Sequence, residues 1–257
     1  RGMGMSFIDP SAGRLACGDE GFGKLADPEM IVETILEIVE KEVLLQDKNI
    51  LITAGPTLER IDPVRYISNN SSGKMGYAIA KMARRYGANV MLISGPVELS
   101  PPFGVNVEHV ETSQEMYEKV MDYFEWADVI VKSAAVLDYK PKQFANEKIK
   151  KTEAGLNIEF ERTKDILFEL GKIKGDKLLV GFAAETNEVL ENAKDKLIRK
   201  NADLIVANDV SNPVIGFKSD KNEVYLVMKE NQIEKIDIRS KEEIAKEIIK
   251  RIVDMLK

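Results

Sequence analysis

From Asn49 onward, short apolar runs alternate with stretches of helical period, and this alternation most limits what the chain can fold into. The run Ile50 to Thr53 leads through a long loop to a helix over about Lys74 to Tyr86, and then to a second run, Asn89 to Ser94. Further runs at Val105 to Val110, Asp128 to Ser133, Lys177 to Phe182 and Asp203 to Ala207 alternate with helical stretches near Ser113 to Phe124, Asp165 to Lys172 and Val189 to Lys200. Repetition of strand and helix predicts an α/β fold: a mostly parallel sheet with helices on both faces. The pattern then changes. Glu223 to Met228 and Gln232 to Ile238 predict a C-terminal antiparallel hairpin before a last helix, Lys241 to Met255. Residues 139–161 also break the alternation, because they are charged and have only short apolar stretches; they predict an excursion from the sheet, a flap.

Ahead of the alternating region, residues 1–26 are rich in Gly, Asp and Ser without a period and read as an irregular tail. Residues 27–48 read as a connecting helix, with Asp27 at its N-cap, Pro28 in the first turn and Ile31, Ile35, Ile38 and Val39 at helical spacing. A domain over 49–257 follows.

Charge and rare residues exclude several functions. With 43 acidic and 37 basic residues the formal charge is -6, which argues against a general affinity for nucleic acid or for anionic membrane. A single cysteine, Cys17, rules out an internal disulfide, and with one histidine, His109, the chain lacks the residues of a multi-cysteine or two-histidine zinc site. No segment approaches the roughly 20 apolar residues of a membrane helix, and the expected compartment is the cytoplasm.

Several segments have residue types suited to anion chemistry. Gly55 follows the first strand, where open parallel sheets bind ligands. The loop returns as Asn69-Asn70-Ser71-Ser72-Gly73-Lys74 before a helix, so hydroxyls and free backbone amides meet a helix amino end. Either an anion sits there or the serines merely cap the helix. The spacing fits neither a Walker loop nor G-x-G-x-x-G, which removes the main support for a dinucleotide. Glu147-Lys148-Ile149-Lys150-Lys151 gathers cations that either neutralise phosphate or form solvated surface, and Lys196 and Lys200 share one helix face with the same two readings. Asp138 follows a strand, as a hydrogen-bond acceptor for a ligand or as a turn cap. Phe182 either stacks on a base or fills the core. His109 and Trp126 read as structural.

Taken jointly, ITAGPTLERIDPVRYISNNSSGKMGYAIA, SAAVLDY, EKIKK, VGFAAETN and LIRKNADLIVANDV, in this order, resemble the phosphopantothenate-cysteine ligase family from about residue 49 to the end. Leu58 stands where the family often has arginine and Asn70 where some members have histidine. The resemblance implies a Rossmann-like sheet. It implies that 4'-phosphopantothenate and L-cysteine are joined through an acyl-cytidylate, with CTP as co-substrate, Mg2+ as cofactor and a homodimer as the assembly. The metal ligands are not implied. Asn69 would contact the intermediate, Arg65 would shape its loop, and Lys148 would belong to a flap assisting the second half-reaction. Gly55, Ser72, Gly73, Ala134, Ala135, Asp138, Lys148, Phe182, Lys196 and Lys200 would form the nucleotide site, with Lys164, Asp165, Ile166 and Leu167 beside them. LACGDEGFGKLADPE resembles the clamp of the flavin-dependent decarboxylase often fused ahead of this synthetase, with Cys17 as the clamp cysteine. FMN would belong to that missing half of a multifunctional enzyme, and no decarboxylase activity is expected from this chain alone.

Two other readings compete. An NAD(P)-linked oxidoreductase would share the sheet but is short of its glycine fingerprint. A non-catalytic nucleotide-binding module would leave the lysine clusters as surface.

Overall fold

The computed structural model describes residues 7–8, 10–14, 20–39, 43–151, 155–209 and 219–257; Cys17 lies outside them. In chain order the elements are β1 (Ser11–Arg14), β2 (Glu20–Lys24), α1 (Pro28–Val39), β3 (Asn49–Ala54), β4 (Leu58–Arg60), β5 (Tyr66–Ser68), α2 (Lys74–Arg85), β6 (Asn89–Ser94), β7 (Asn106–His109), α3 (Ser113–Asp122), β8 (Val129–Lys132), β9 (Tyr139–Pro141), β10 (Phe160–Arg162), α4 (Ile166–Ile173), β11 (Leu178–Glu185), α5 (Val189–Arg199), β12 (Leu204–Asp209), β13 (Lys221–Met228), β14 (Ile233–Ser240) and α6 (Lys241–Met255).

Eight strands form the central sheet in the order β14-β13-β12-β11-β8-β3-β6-β7. The six from β12 to β7 are parallel, and β13 and β14 continue the sheet as an antiparallel hairpin. This is the expected α/β architecture. Its inner strands β3, β6, β8, β11 and β12 are largely apolar because each face is covered by helices, whereas the edge strands β7 and β14 are mostly polar. On one face Ile50, Ile52, Val129, Val131 and Val180 meet Ile79 and Ala83 of α2 and Ile244, Ile248 and Ile252 of α6. On the other, Leu51, Ile130, Leu179 and Ile205 meet Met116 of α3, Leu170 of α4 and Leu197 of α5. The apolar alternation visible in the sequence is therefore divided between two layers of core.

Local chemistry explains the element ends. Thr112 and Glu115 form a capping box at the start of α3, and Ser240 and Glu243 form another at the start of α6. Gly76 lets α2 lie against β3: a Cβ there would meet the Ala54 Cβ at 2.5 Å.

Three local expectations differ from the structure. Two short strands, β1 and β2, pair antiparallel inside the stretch expected to be irregular. The long loop after β3 contains a second small ribbon, β4 with β5, too short to register as a period. Phe182 does not end its strand: β11 continues to Glu185, because Ala183, Ala184 and Glu185 pair with Ala207, Asn208 and Asp209 of β12. The excursion over 139–161 leaves along β9 and returns along β10, which pair antiparallel. No helix of the described residues is long and apolar enough to cross a membrane.

Candidate active site

β3 and β8 are neighbours, yet the chain proceeds from β3 toward one edge of the sheet and from β8 toward the other. Such a switch point opens a crevice at the carboxyl ends of the strands. Here its rim is stitched beyond the sheet. The Ala135 amide donates to the Gly55 carbonyl at 2.9 Å, and the Thr57 amide donates to the Ala135 carbonyl at 3.2 Å. Thr53 Oγ1 accepts from the Ala134 amide at 3.2 Å, and Thr57 Oγ1 accepts from the Leu137 amide at 3.0 Å. Asn69 Nδ2 adds a fifth tie, donating to the Ala135 carbonyl at 2.8 Å. The segment after β8 is thus held by both the β3 loop and the β5–α2 loop.

The crevice is a cleft of about 800 Å³. Of the residues singled out in the sequence, Asn69, Ser72, Gly73, Ala134, Ala135, Asp138, Asp165, Leu167, Phe182, Lys196 and Lys200 line it. The α2 N-cap is Gly73, at φ 75, not a serine. A Cβ at Gly73 would stand 2.8 Å from Val97 Cγ1. Gly55, at φ 76, lies behind this wall and has the same neighbour. The segment 164–167 splits, because consecutive residues around a helix start point in different directions. Asp165 caps α4 through the Phe168 amide and pairs with Lys200, while Ile166 is buried in the core and Lys164 lies over the Tyr117 ring at 4.1 Å.

Arg65 and Lys148 do not line the cleft. Arg65 points its guanidinium at Asp62, donating from Nε at 2.9 Å and from Nη2 at 2.5 Å to Oδ2. Its Nη2 also donates to the Ile149 carbonyl at 3.0 Å. Lys148 is exposed on the excursion next to that contact. Asp62 is completely buried, and Arg65 holds its carboxyl well below the usual carboxylate range against the opposing effect of burial.

Sequence reasoning missed Lys132. This last residue of β8 points from the Ile130 side of the sheet, between Thr53 and Gly181 on the flanking strands, and its Nζ donates to the Ala134 carbonyl at 2.9 Å. Burial first, and then nearby Lys196, bring its pKa down to about 8, with Asp165 and Asp138 opposing the fall. Lys196 is lowered as well, first by burial. Asp165 is lowered: burial works to raise it, but Lys200 and the Phe168 amide outweigh burial. Lys132, Lys196 and Lys200 therefore share the cleft with Asp138, Asp165 and Glu185, and Lys74 lines it too. A charged residue ending an otherwise apolar run was the available signal. Lys241 at the start of α6 also reaches the cleft, with burial and then Lys74 bringing its pKa to about 8.

The Lys132 charge has a measurable cost. Its folded pKa lies below the ordinary lysine value of about 10.4, so between about pH 8 and 10.4 the unfolded chain binds more protons and stability rises with pH. Lys132→Met is expected to raise the thermal midpoint at pH 7, with the gain fading by about pH 10, where the folded lysine is already neutral. Thermal melts of both proteins at the two pH values check this.

Comparison with known proteins places these features in context. The model of the DNA/pantothenate metabolism flavoprotein C-terminal domain family matches residues 45–256. A relative from Bacillus subtilis, the coenzyme A biosynthesis bifunctional protein CoaBC, is 44% identical over 99% of this chain, and the alignment covers 63% of the relative's length. A relative from an unknown prokaryotic organism, named cysteine/cysteine sulfinic acid decarboxylase, is 40% identical over the whole chain and 73% of its own length. The crystal structure of the C-terminal domain of a CoaBC protein superposes with a TM-score of 0.72 at 46% identity, covering 84% of this chain and 98% of that one.

Proposed function

The chain belongs to the DNA/pantothenate metabolism flavoprotein C-terminal domain family, and on that premise we propose that it is a ligase of coenzyme A biosynthesis that joins 4'-phosphopantothenate to L-cysteine with CTP. The observation that carries this reading is the cleft itself, where Asn69, fixed to the strand-end loop, lines the same space as Lys132, Lys196 and Lys200. A carboxylate resists attack by an amine because it is anionic and has no good leaving group. In the proposed reaction one carboxylate oxygen attacks the α-phosphate of CTP, an O–P bond forms and pyrophosphate leaves. The cysteine amine then attacks the acyl carbon of the cytidylate, a C–N bond forms and CMP departs. Both steps move negative charge onto phosphate oxygens, so fixed cations and the α2 amino end supply what the reaction needs. Lys148 approaches from the excursion for the second step, and Phe182 offers a face to the base.

Mg2+ fits this site as the partner of the nucleotide. Among the described residues no group of three or more His, Cys, Asp or Glu side chains is placed to hold a metal. Mg2+ keeps waters and phosphate oxygens when one or two carboxylates are all that a protein offers, and the carboxylates lining this cleft are Asp138, Asp165, Glu185 and Asp195. Residues 49–257 form the synthetase domain in this reading, with 139–161 as its flap, 27–48 as connector and 1–26 as the decarboxylase clamp. The chain spans less than two thirds of the Bacillus subtilis relative, so a fused FMN-dependent decarboxylase half, a homodimer and a cytoplasmic setting belong to the same proposal.

The test supplies Mg2+, 4'-phosphopantothenate and cysteine with CTP or ATP separately, and follows pyrophosphate and nucleoside monophosphate. Substrate-dependent CMP and pyrophosphate are expected. Turnover with ATP alone corrects the nucleotide, and no turnover with either overturns the ligase. Release of CO2 from cysteine without nucleotide would point instead to the activity in the second relative's name.

A further inference from the structure

Asp62 is a buried carboxylate that the reaction above does not use. It sits in the β4–β5 turn, completely inaccessible, and its two oxygens have different partners. Oδ1 accepts from the Val64 amide at 2.9 Å and from the Arg65 amide at 2.8 Å, which closes the turn. Oδ2 accepts from the Arg65 guanidinium and, across 87 residues of sequence, from the Ile149 amide at 3.1 Å. Arg65 Nη2 completes the clasp on the Ile149 carbonyl at 3.0 Å, and the Ala145 amide donates to the Ile61 carbonyl at 3.1 Å. One residue of the excursion is therefore gripped at both its amide and its carbonyl. The gripped residue stands between Lys148 and Lys150, in a segment otherwise exposed.

We propose that Asp62 is a positioning residue: acting through Arg65 and the Ile149 backbone, it holds the 145–151 segment against the β4–β5 ribbon so that Lys148 keeps one place for amide formation. The role assigned to Lys148 rests on the ligase reading; the clasp does not. A lysine on a free segment explores many positions, and a small displacement of a catalytic group is enough to slow a step severely. Charge also matters to the clasp, because two guanidinium N–H groups converge on one buried carboxylate oxygen, and hydrogen bonds between ionised partners are stronger than those of a neutral pair.

Asp62→Asn separates the two oxygens. An asparagine can keep a carbonyl oxygen toward the Val64 and Arg65 amides, but then its NH2 faces the guanidinium and the Ile149 amide, donor against donor. The turn survives while the clasp opens. Two measurements follow. Trypsin should cut after Lys148, Lys150 or Lys151 at least several-fold faster in the variant, since opening of the segment governs cleavage. In single turnover, pyrophosphate release without cysteine should stay within about threefold of wild type, while amide formation from the accumulated intermediate falls on the order of tenfold to a hundredfold. Unchanged trypsin cleavage overturns the clasp. Faster cleavage with both half-reactions slowed equally, or with neither slowed, overturns the positioning role. If the wild-type protein itself shows no ligation, the ligase reading fails, and with it the role given to Lys148, while the cleavage rates still judge the clasp. Asp62→Glu, which restores the charge, should recover part of the trypsin resistance.

Discussion

Asn69→Asp is expected to lower ligation by about a hundredfold to a thousandfold, the cost of removing one well-placed donor from a charged transition state. The two side chains have the same shape, so the change is confined to chemistry. Asn69 Nδ2 now donates to the Ala135 carbonyl at 2.8 Å, and this is the tie between the β5–α2 loop and the segment after β8. An aspartate has no donor; it would set a negative charge against that carbonyl and against any phosphate or carboxylate entering the cleft. The fold should survive, because the other four ties across the rim come from backbone amides of Ala134, Ala135, Thr57 and Leu137. The check is a pair of measurements on one preparation: the thermal midpoint and the rate of CMP formation. Wild-type turnover in the variant would remove Asn69 from the mechanism, and collapse of the midpoint would make its role structural.

The largest expected effect on stability lies at the opposite end of the sheet. Asp203, just ahead of β12, accepts from Lys174 Nζ at 2.6 and 2.5 Å, from Lys229 Nζ at 2.7 Å and from the Leu179 amide at 2.9 Å. Lys174 is buried in this contact, with only 9% of its side chain exposed. Asp203→Ala leaves that ammonium and the Leu179 amide without their acceptor, which costs about 3–5 kcal/mol for breaking a buried pair from one side. For a chain of this size the midpoint should fall on the order of 10 °C. Lys229→Met should cost far less, because 59% of the Lys229 side chain is already in water. The pH dependence has a definite sign. Burial works against the Asp203 charge, but Lys174 and Lys229 outweigh it and hold the carboxyl below its ordinary value. The stabilisation is therefore fully present above the ordinary aspartate pKa of about 4 and is lost as pH falls through the lower folded value. Urea unfolding of wild type and Asp203→Ala should show a gap at pH 7 that narrows below about pH 4. A constant gap would mean that charge contributes nothing.

Much of the architecture was legible before any coordinates. Buried parallel strands must be apolar on both faces, so Ile50 to Thr53, Asn89 to Ser94 and Asp128 to Ser133 were recognisable as runs, and the α2, α5 and α6 boundaries fell within a residue or so. The hairpin β13–β14 was legible for a different reason, since its two apolar runs are close in sequence and need no crossover. β4 and β5 were not legible. At three residues each they carry no period, and their ribbon's partners lie far along the chain: the Leu58 amide donates to the Glu111 carbonyl, Glu59 accepts from the Ser113 amide, and Asp62 accepts from the Ile149 amide.

The site divides in the same way. The family resemblance grouped the loop before α2, the segment after β8 and the lysines of α5 as one site, whereas strand-end and helix-end rules alone left each of them open between a ligand contact and ordinary surface. Which side chains of those segments share one space was decided by rotation about each element: Asp165 and Leu167 face the cleft while Ile166 between them is core. Sequence by itself determined the periodic pattern, hence the layers and the strand ends where chemistry collects, because period and turn chemistry are properties of neighbours along the chain. Only the tertiary structure decided that Lys132 is crowded, that Arg65 serves Asp62 and that Asp203 is shared by two lysines, because desolvation and pairing depend on distances between residues that the chain keeps far apart.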